Sequence, residues 1–281
     1  MPAPTSAALR LLFRRTNARV GGVLLLLMLS AVLVGSFYTP YDPIIIDLDA
    51  RLQAPSRFHW LGTDEWGRDV FSRLLHGATV SVTISLCTVI LATLAGALVG
   101  AVSGFFGGWL DRVVVALLDA LQAFPSLVLA LGMVAVFGPS RVGVILALSL
   151  AYLPSVARVV RSSVMSIREK EYIEASRVMG NSEWYTLMRH VVPNCIAPII
   201  VLATALFGWA LLTESSLSFL GLGVPPPMSS WGGMLSDSRS YIGQAPWLAI
   251  VPGLSISMSL LGINLFGDAL RDQFDPRMKN L

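Results

Sequence analysis

Charge is scarce in this chain. Asp, Glu, Lys and Arg make up 13% of its 281 residues against 54% hydrophobic, whereas a soluble domain carries about a quarter charged residues. That balance excludes a water-soluble globular domain and places the chain in a membrane. Cysteine is nearly absent. Cys87 and Cys195 both lie in or beside apolar runs, so their pairing offers neither a disulfide framework nor a thiolate metal site, and both read as helix-packing residues. His59, His76 and His190 are scattered over different segments and have no metal-ligand spacing, so no metal site is assigned. There is no G-x-x-x-x-G-K-S/T phosphate loop, no Ser/His/Asp constellation and no paired carboxylates at sensible positions. The chain therefore does not read as an enzyme or as a nucleotide-binding protein.

What is present is apolar sequence in long runs. A helix needs about 20 residues to cross a hydrocarbon core, and six runs qualify: Val20 to Phe37, Thr79 to Val102, Val113 to Phe137, Val142 to Ala157, Ile196 to Thr213 and Trp247 to Phe266. The fourth is short before Arg158, and Arg158 and Arg161 are expected to snorkel toward headgroups. The first follows four arginines, and its length fits an uncleaved anchor better than a signal peptide cut near Ser36. With the N-terminus in the cytoplasm, only Arg51, Arg57, Arg68, Arg73, Arg141 and Arg239 fall outside. The other 14 of the 20 Lys and Arg residues then lie inside, as the positive-inside rule asks. Both termini are expected to be cytoplasmic.

The loops organise the rest. Tyr38 to Leu75, with six acidic and four basic residues, is too long for a simple connector and is expected to hold a structured piece on the external side. Leu217 to Pro246 is a second external segment, in which Pro225-Pro226-Pro227 followed by Trp231-Gly232-Gly233 suggests a shaped lid. Between the fourth and fifth spans lies a polar island. Nothing interrupts a helix from Glu171 to Met179, Gly180-Asn181 supplies a left-handed stop, and Ser182 can cap a second helix toward Pro193, with Glu183 in its first turn. Two short helices joined at Gly180 make a rigid knuckle. Taken alone it fits a docking piece or a solvated hairpin equally well.

The island carries a resemblance. Glu174, Ala175, Gly180 and Pro193 follow the Glu-Ala-Ala, three residues, Gly, then apolar-Pro signature of the coupling loop of bacterial ATP-binding-cassette import permeases, with Ser176 in place of the second alanine. Further residues resemble the C-type subunit of the dipeptide/oligopeptide/nickel branch. They include His59-Trp60-Leu61-Gly62-Thr63-Asp64, Gly67-Arg68-Asp69, Ala123-Phe124-Pro125, Ser218-Phe219-Leu220-Gly221, Asp268, Arg271-Asp272 and Asp275-Pro276.

The resemblance implies an all-α integral membrane protein with six transmembrane helices and the type I importer permease fold, in a bacterial cytoplasmic membrane. It divides the chain into an N-terminal helix and external segment at 1–78, a permease core at 79–271 with its coupling loop at 168–193, and a short tail at 272–281. It further implies a homologous second permease, two cytosolic ATP-binding subunits that hold ATP and Mg, an external substrate-binding protein and membrane lipid as partners. No cofactor is expected on this chain and no nucleic acid as a partner. ATPase docking falls to Glu174, Ala175, Ser176 and Gly180, and movement of the knuckle would swing the fourth and fifth spans to open the path. The implied cargo is a small peptide, with glutathione or a nickel complex as alternatives. A self-contained membrane enzyme, a channel or a passive scaffold is the reading outside this family.

Single residues divide between roles. Asp119, a charge in an apolar span, fits either the transport path or a buried contact that orients helices. Phe124-Pro125 fits a gate hinge or a simple kink. Trp231 is assigned to the mouth of the path, Glu214 to the membrane interface, and Trp60 and Trp66 to the headgroup region.

Overall fold

The computed structural model describes residues 16–274, and the described residues are helical with no strand. Asp275-Pro276 and five members of the charge count, Arg10, Arg14, Arg15, Arg277 and Lys279, lie outside them. The elements in chain order are α1 (Thr16–Phe37), a short 3-10 turn (Leu48–Ala50), α2 (Val70–Phe106), α3 (Gly108–Gln122), α4 (Ser126–Phe137), α5 (Arg141–Arg168), α6 (Glu171–Val178), α7 (Glu183–Thr186), α8 (Ile196–Phe219), α9 (Trp231–Ser238) and α10 (Trp247–Phe274). From α7 the chain passes through one π turn (Leu187–Val191) and one 3-10 turn (Val192–Cys195) into α8 without leaving the helical path.

Five helical stretches are long and apolar enough to cross a membrane, and a sixth crossing requires α3 and α4 to count as one broken span. Composition reads Val113 to Phe137 as a continuous run, but α3 and α4 meet at 93°. The break falls at Pro125, whose backbone is extended at φ −52° and ψ 136°. Proline cannot donate to the ladder, and its ring drives the preceding residue away from helical angles. The second and fourth spans are longer than their apolar runs. The Asp69 carboxylate caps α2 by accepting from the Ser72 N–H at 2.8 Å, and the Ser140 hydroxyl caps α5 by accepting from the Gly143 N–H at 3.0 Å, each satisfying an orphan donor of the first turn.

The bundle is built on a close crossing of α2 and α5. Gly96, Gly100 and Gly104 recur every four residues and so share one face of α2. A Cβ at Gly100 would sit 2.2 Å from the Ala157 carbonyl oxygen, and Cβ atoms at Gly96 and Gly104 would come within 2.9 Å of the Leu153 and Arg161 carbonyls. With no side chain in the way the backbones touch, which is how membrane helices gain packing energy without a hydrophobic drive between them. Around this crossing Ile84, Leu148, Val156, Val164 and Ile173 form a buried cluster. At the end of the bundle away from the knuckle, Val70, Leu211, Trp231, Met234 and Leu248 form a second one.

The 38–69 segment is a structured cap on that end. The Asp64 carboxylate accepts from the backbone N–H groups of Trp66 (2.8 Å) and Arg68 (2.9 Å) and from Arg68 Nε (2.7 Å). Trp60 and Trp66 are 64% and 47% exposed, as aromatic anchors would be.

Candidate functional site

The knuckle has the geometry its sequence encodes. The Gly180 N–H donates to the Arg177 carbonyl at 2.9 Å and the Asn181 N–H to the Ser176 carbonyl at 3.2 Å, with Gly180 at φ +83°. These two bonds and the left-handed residue define a Schellman termination, which satisfies carbonyls that the end of α6 would otherwise orphan. The Ser182 hydroxyl then accepts from the Tyr185 N–H at 3.2 Å and caps α7.

Glu174, Ala175 and Gly180 face outward. Ser176 does not. It is 1% exposed, its hydroxyl lies 3.1 Å from the Thr186 hydroxyl, and it accepts from Asn181 Nδ2 at 3.2 Å. Ser176 is thus a strut between the two helices, which corrects its assignment to the docking surface. The exposed tip of the knuckle is apolar: Val178 and Met179 are 83% and 73% exposed, and Trp184 and Tyr185 of α7 are about half exposed. Arg177 pairs with Glu183 at 3.0 Å rather than with Glu174. Sequence reading passed over Val178 and Met179 because valine and methionine ahead of a helix-ending glycine look like ordinary packing residues.

A second feature lies on α3 and α5. Arg158 and Arg161 both reach carboxylates of α3. Arg161 makes a bidentate pair with Asp111 (2.5 and 2.6 Å), and Arg158 Nη2 meets Asp119 Oδ1 at 2.7 Å. Arg168 donates to the Gly104 carbonyl at 2.9 Å, its side chain reaching back along α5, because Gly104 itself lies against Arg161. Arg158 is about one turn from Arg161, close to the end of the apolar run of α2. The Arg158 and Asp119 side chains are 55% and 60% exposed. Asp119 is therefore not a buried helix-orienting contact. Ser155, Arg158, Ser162 and Ser166, spaced three or four apart, share one face of α5, on which Arg158, Ser162 and Ser166 are exposed. Gln122 Nε2 approaches the Ser155 hydroxyl at 3.5 Å. Phe124, at the α3–α4 break, is 57% exposed. A polar, half-open face of this kind suits water or another protein better than lipid.

Two other expectations are corrected. Trp231 is 2% exposed, begins α9 and donates from Nε1 to the Leu74 carbonyl at 3.1 Å, so its ring is used for packing and does not line a mouth. Glu214 is fully buried, accepting from the Ser218 hydroxyl at 2.8 Å and the Ser215 hydroxyl at 3.5 Å, and does not sit at an interface.

Comparison with known proteins places these features in a family. Residues 92–280 match the binding-protein-dependent transport system inner membrane component family, and residues 4–55 match the N-terminal TM domain of oligopeptide transport permease C. The chain is 42% identical over 257 residues to the dipeptide transport system permease protein DppC of Alkalihalophilus pseudofirmus, covering 92% of this chain and 83% of that one. It is 41% identical over 276 residues to the di/tripeptide transport system permease protein DppC of Pseudomonas aeruginosa, with coverages of 95% and 91%. It is 38% identical over 272 residues to the glutathione transport system permease protein GsiD of Pectobacterium atrosepticum, with coverages of 96% and 90%. A solved structure of the MetNI methionine ABC transporter in inward-facing conformations shares the fold, with a TM-score of 0.59 at 18% identity over 71% of this chain and 95% of that one. A knuckle between two spans, a broken third span and close identity along almost the whole length have one common explanation: this chain belongs to the binding-protein-dependent transport system inner membrane component family, as a multi-pass ABC permease subunit of the inner membrane.

Proposed function

We propose that this chain is one permease subunit of an ATP-driven importer of small peptides, pairing with a homologous second permease and receiving cargo from an external binding protein. The observation that carries the reading is the knuckle: a short helix ended by a left-handed glycine, braced internally by Ser176, that holds Val178 and Met179 in water. An exposed apolar tip on a rigid mount is a docking surface, and here its occupant is an ATP-binding subunit. The 14 to 6 distribution of basic residues puts the knuckle and both termini in the cytoplasm, where ATP is. Since this chain carries no phosphate-binding loop, hydrolysis belongs to that partner, with its ATP and Mg, and this subunit is not itself catalytic.

Closure of the ATP-binding subunits moves the knuckle, and the knuckle is continuous with α8 and one residue pair from α5, so both spans move with it. Such coupling needs an element whose contacts differ between two states. The polar face around Asp119 and Arg158 is the transport path in this reading, and the Phe124-Pro125 break is its hinge. The cargo class rests on the names of the relatives, which transport dipeptides and di/tripeptides. Glutathione, a peptide of the same size, is the second reading, favoured by the 38% identical relative.

The test is uptake into proteoliposomes that hold this chain with its second permease and ATP-binding subunits. A labelled tripeptide should accumulate only when ATP and loaded binding protein are both present. Accumulation without ATP would make the chain a channel, and accumulation of glutathione alone would favour the second reading.

A further inference from the structure

The cap leaves a cleft open beside the Phe37 end of α1. It has a volume of about 320 Å³ and is walled by the rings of Tyr41, Phe58, Trp60 and Phe71, with Arg57 and Asp69 as its charged groups. That volume falls within the range of small-molecule sites, about 300–1,000 Å³. The Asp69 carboxylate is already used: it accepts from the Ser72 N–H at 2.8 Å and meets His59 Nδ1 at 3.0 Å. Arg57 is exposed, and among the described residues no carboxylate pairs with it. The cleft therefore combines an aromatic wall with one uncompensated positive charge.

Its position says what lies beside it. Gly35, in the last turn of α1, rests against the Leu75 carbonyl, and the Tyr41 N–H donates to the Ser72 hydroxyl at 3.1 Å. The walls at Tyr41 and Phe71 thus stand about one turn of α2 beyond the last apolar turn of α1, roughly 6 Å at the helical rise. A headgroup layer occupies about 5–7 Å on each side of the hydrocarbon. α1 is also the least covered span, with 11% of its apolar window buried against 28% to 56% in the other four. Its exposed Leu26, Leu29, Leu33 and Phe37, spaced three or four apart, share one face. A face so apolar and so uncovered lies against acyl chains.

We infer that the cleft is a phospholipid site: the phosphate takes Arg57, the glycerol end lies among the four rings, and an acyl chain runs down α1. A phosphodiester matches the guanidinium fork, and aromatic rings favour the level where an apolar chain meets a polar head. A carboxylate from the water phase would satisfy Arg57 alone, whereas a lipid fills the charge, the ring wall and the apolar stripe together. The Tyr41 hydroxyl donates to the Phe58 carbonyl at 2.9 Å, and the Trp60 and Phe71 rings lie 5.2 Å apart. The lipid therefore sits across the seam that holds the cap to α1 and α2. The inference is independent of the cargo and of the coupling to ATP; it requires only that the chain lies in a membrane.

The experiment uses the assembled complex in vesicles of phosphatidylethanolamine and phosphatidylglycerol. They are doped with a phosphatidylethanolamine whose acyl chain carries a diazirine close to the glycerol. The comparison probe is a diacylglycerol with the same chain and no phosphate. After illumination the adducts are mapped by mass spectrometry. The phospholipid probe should label residues 57–71 about fivefold more than the diacylglycerol, the upper end for an exposed ion pair, while both label residues 26–33 of α1 alike. Arg57→Gln, compared at equal amounts of assembled complex, should bring phospholipid labelling of residues 57–71 down to the diacylglycerol level and leave α1 labelling unchanged. Arg57→Lys should keep part of the preference. Equal labelling of the cleft by both probes in the wild-type protein, or a preference that survives Arg57→Gln, would overturn the site. No labelling of the cleft by either probe, with α1 labelled normally, would overturn it too and point to a protein partner seated there.

Discussion

The guanidinium of Arg177 lies over the ring of Phe105, 5.6 Å from its centroid. The contact joins the knuckle to the last turn of α2, and it is reinforced by the near-parallel stacking of Trp184 on Phe106 at 6.5 Å. The knuckle is thus tied to the span that forms the central crossing with α5 as well as to α8.

Removing that tie should loosen the knuckle without dismantling the bundle. Arg177→Gln loses the pairing with Glu183, worth at most about 1 kcal/mol because both side chains are half-exposed, and a cation–π contact worth about 0.5–2 kcal/mol. Amide hydrogen exchange across residues 171–186 should accelerate by about tenfold, while exchange in α2 and α5 stays as in the wild-type protein. Unchanged exchange in the knuckle would show that this contact does not brace it.

Gly180 separates conformation from crowding. Nothing lies within 4 Å of where its Cβ would be, so a larger side chain meets no neighbour, but φ is +83°, and a β-branched residue there costs of order 1–3 kcal/mol. Gly180→Val should lower ATP-driven uptake several-fold, and Gly180→Asn, which tolerates the left-handed region, should retain most of it. If both variants behave alike, backbone conformation at the stop is not what matters.

Gly100→Val tests the central crossing. The added Cβ would approach the Ala157 carbonyl to 2.2 Å, and no rotamer change can move a backbone atom aside. Overpacking costs about 1–3 kcal/mol and sometimes more, so the variant should unfold several degrees below wild type, whereas Gly132→Ala, with nothing within 4 Å, should not. A wild-type unfolding temperature for Gly100→Val would mean that α2 and α5 do not touch as described.

These variants also mark what could be read in the sequence. Gly180 and Ser182 were legible because a helix stop and a cap are local devices, each fixed by residues within one turn. The 93° break was not, since a window of apolar residues passes over Pro125 without registering direction. Asp119 stood out as a charge in an apolar run, but its partner is 39 residues away on another helix, and no local pattern links the two. Ser176 was misplaced because a small residue in a docking motif looks the same whether it faces a partner or its own second helix. Trp231 was misplaced because a tryptophan after a proline run gives no sign that its indole will meet the Leu74 carbonyl.

The cap at the other end of the bundle should respond to pH. Asp64, Glu65 and Asp237 share a network with Arg68 and Arg73, buried except at the half-exposed Asp237 and held by contacts of 2.7 to 3.6 Å, three carboxylates against two guanidiniums. Burial, with Asp64 and Asp237 adding to it and Arg68 opposing, raises the pKa of Glu65. Burial, opposed by Arg73 and Arg68 and aided by Asp64, raises that of Asp237. A raised carboxyl binds its proton more tightly in the folded protein, so folding is favoured at low pH, and stability declines as pH rises from the ordinary carboxylate value, about 4.3, through the raised one. Glu65→Gln fixes the neutral form. Its unfolding temperature should exceed that of wild type at pH 8 by more than at pH 5, and an equal difference at both would remove Glu65 from the account.

The most direct test of the central claim is a cross-link between this chain and an ATP-binding subunit. With Cys87 and Cys195 replaced, a single cysteine at Met179, which is 73% exposed, and one at Ser176, which is 1% exposed, are each treated with a short thiol-to-amine cross-linker in the assembled complex. The account predicts a cross-linked product with the ATP-binding subunit from Met179→Cys, changing in yield when ATP is bound, and little from Ser176→Cys. No product from Met179→Cys in either state would contradict the assignment of this tip as the place where ATP hydrolysis is coupled to transport.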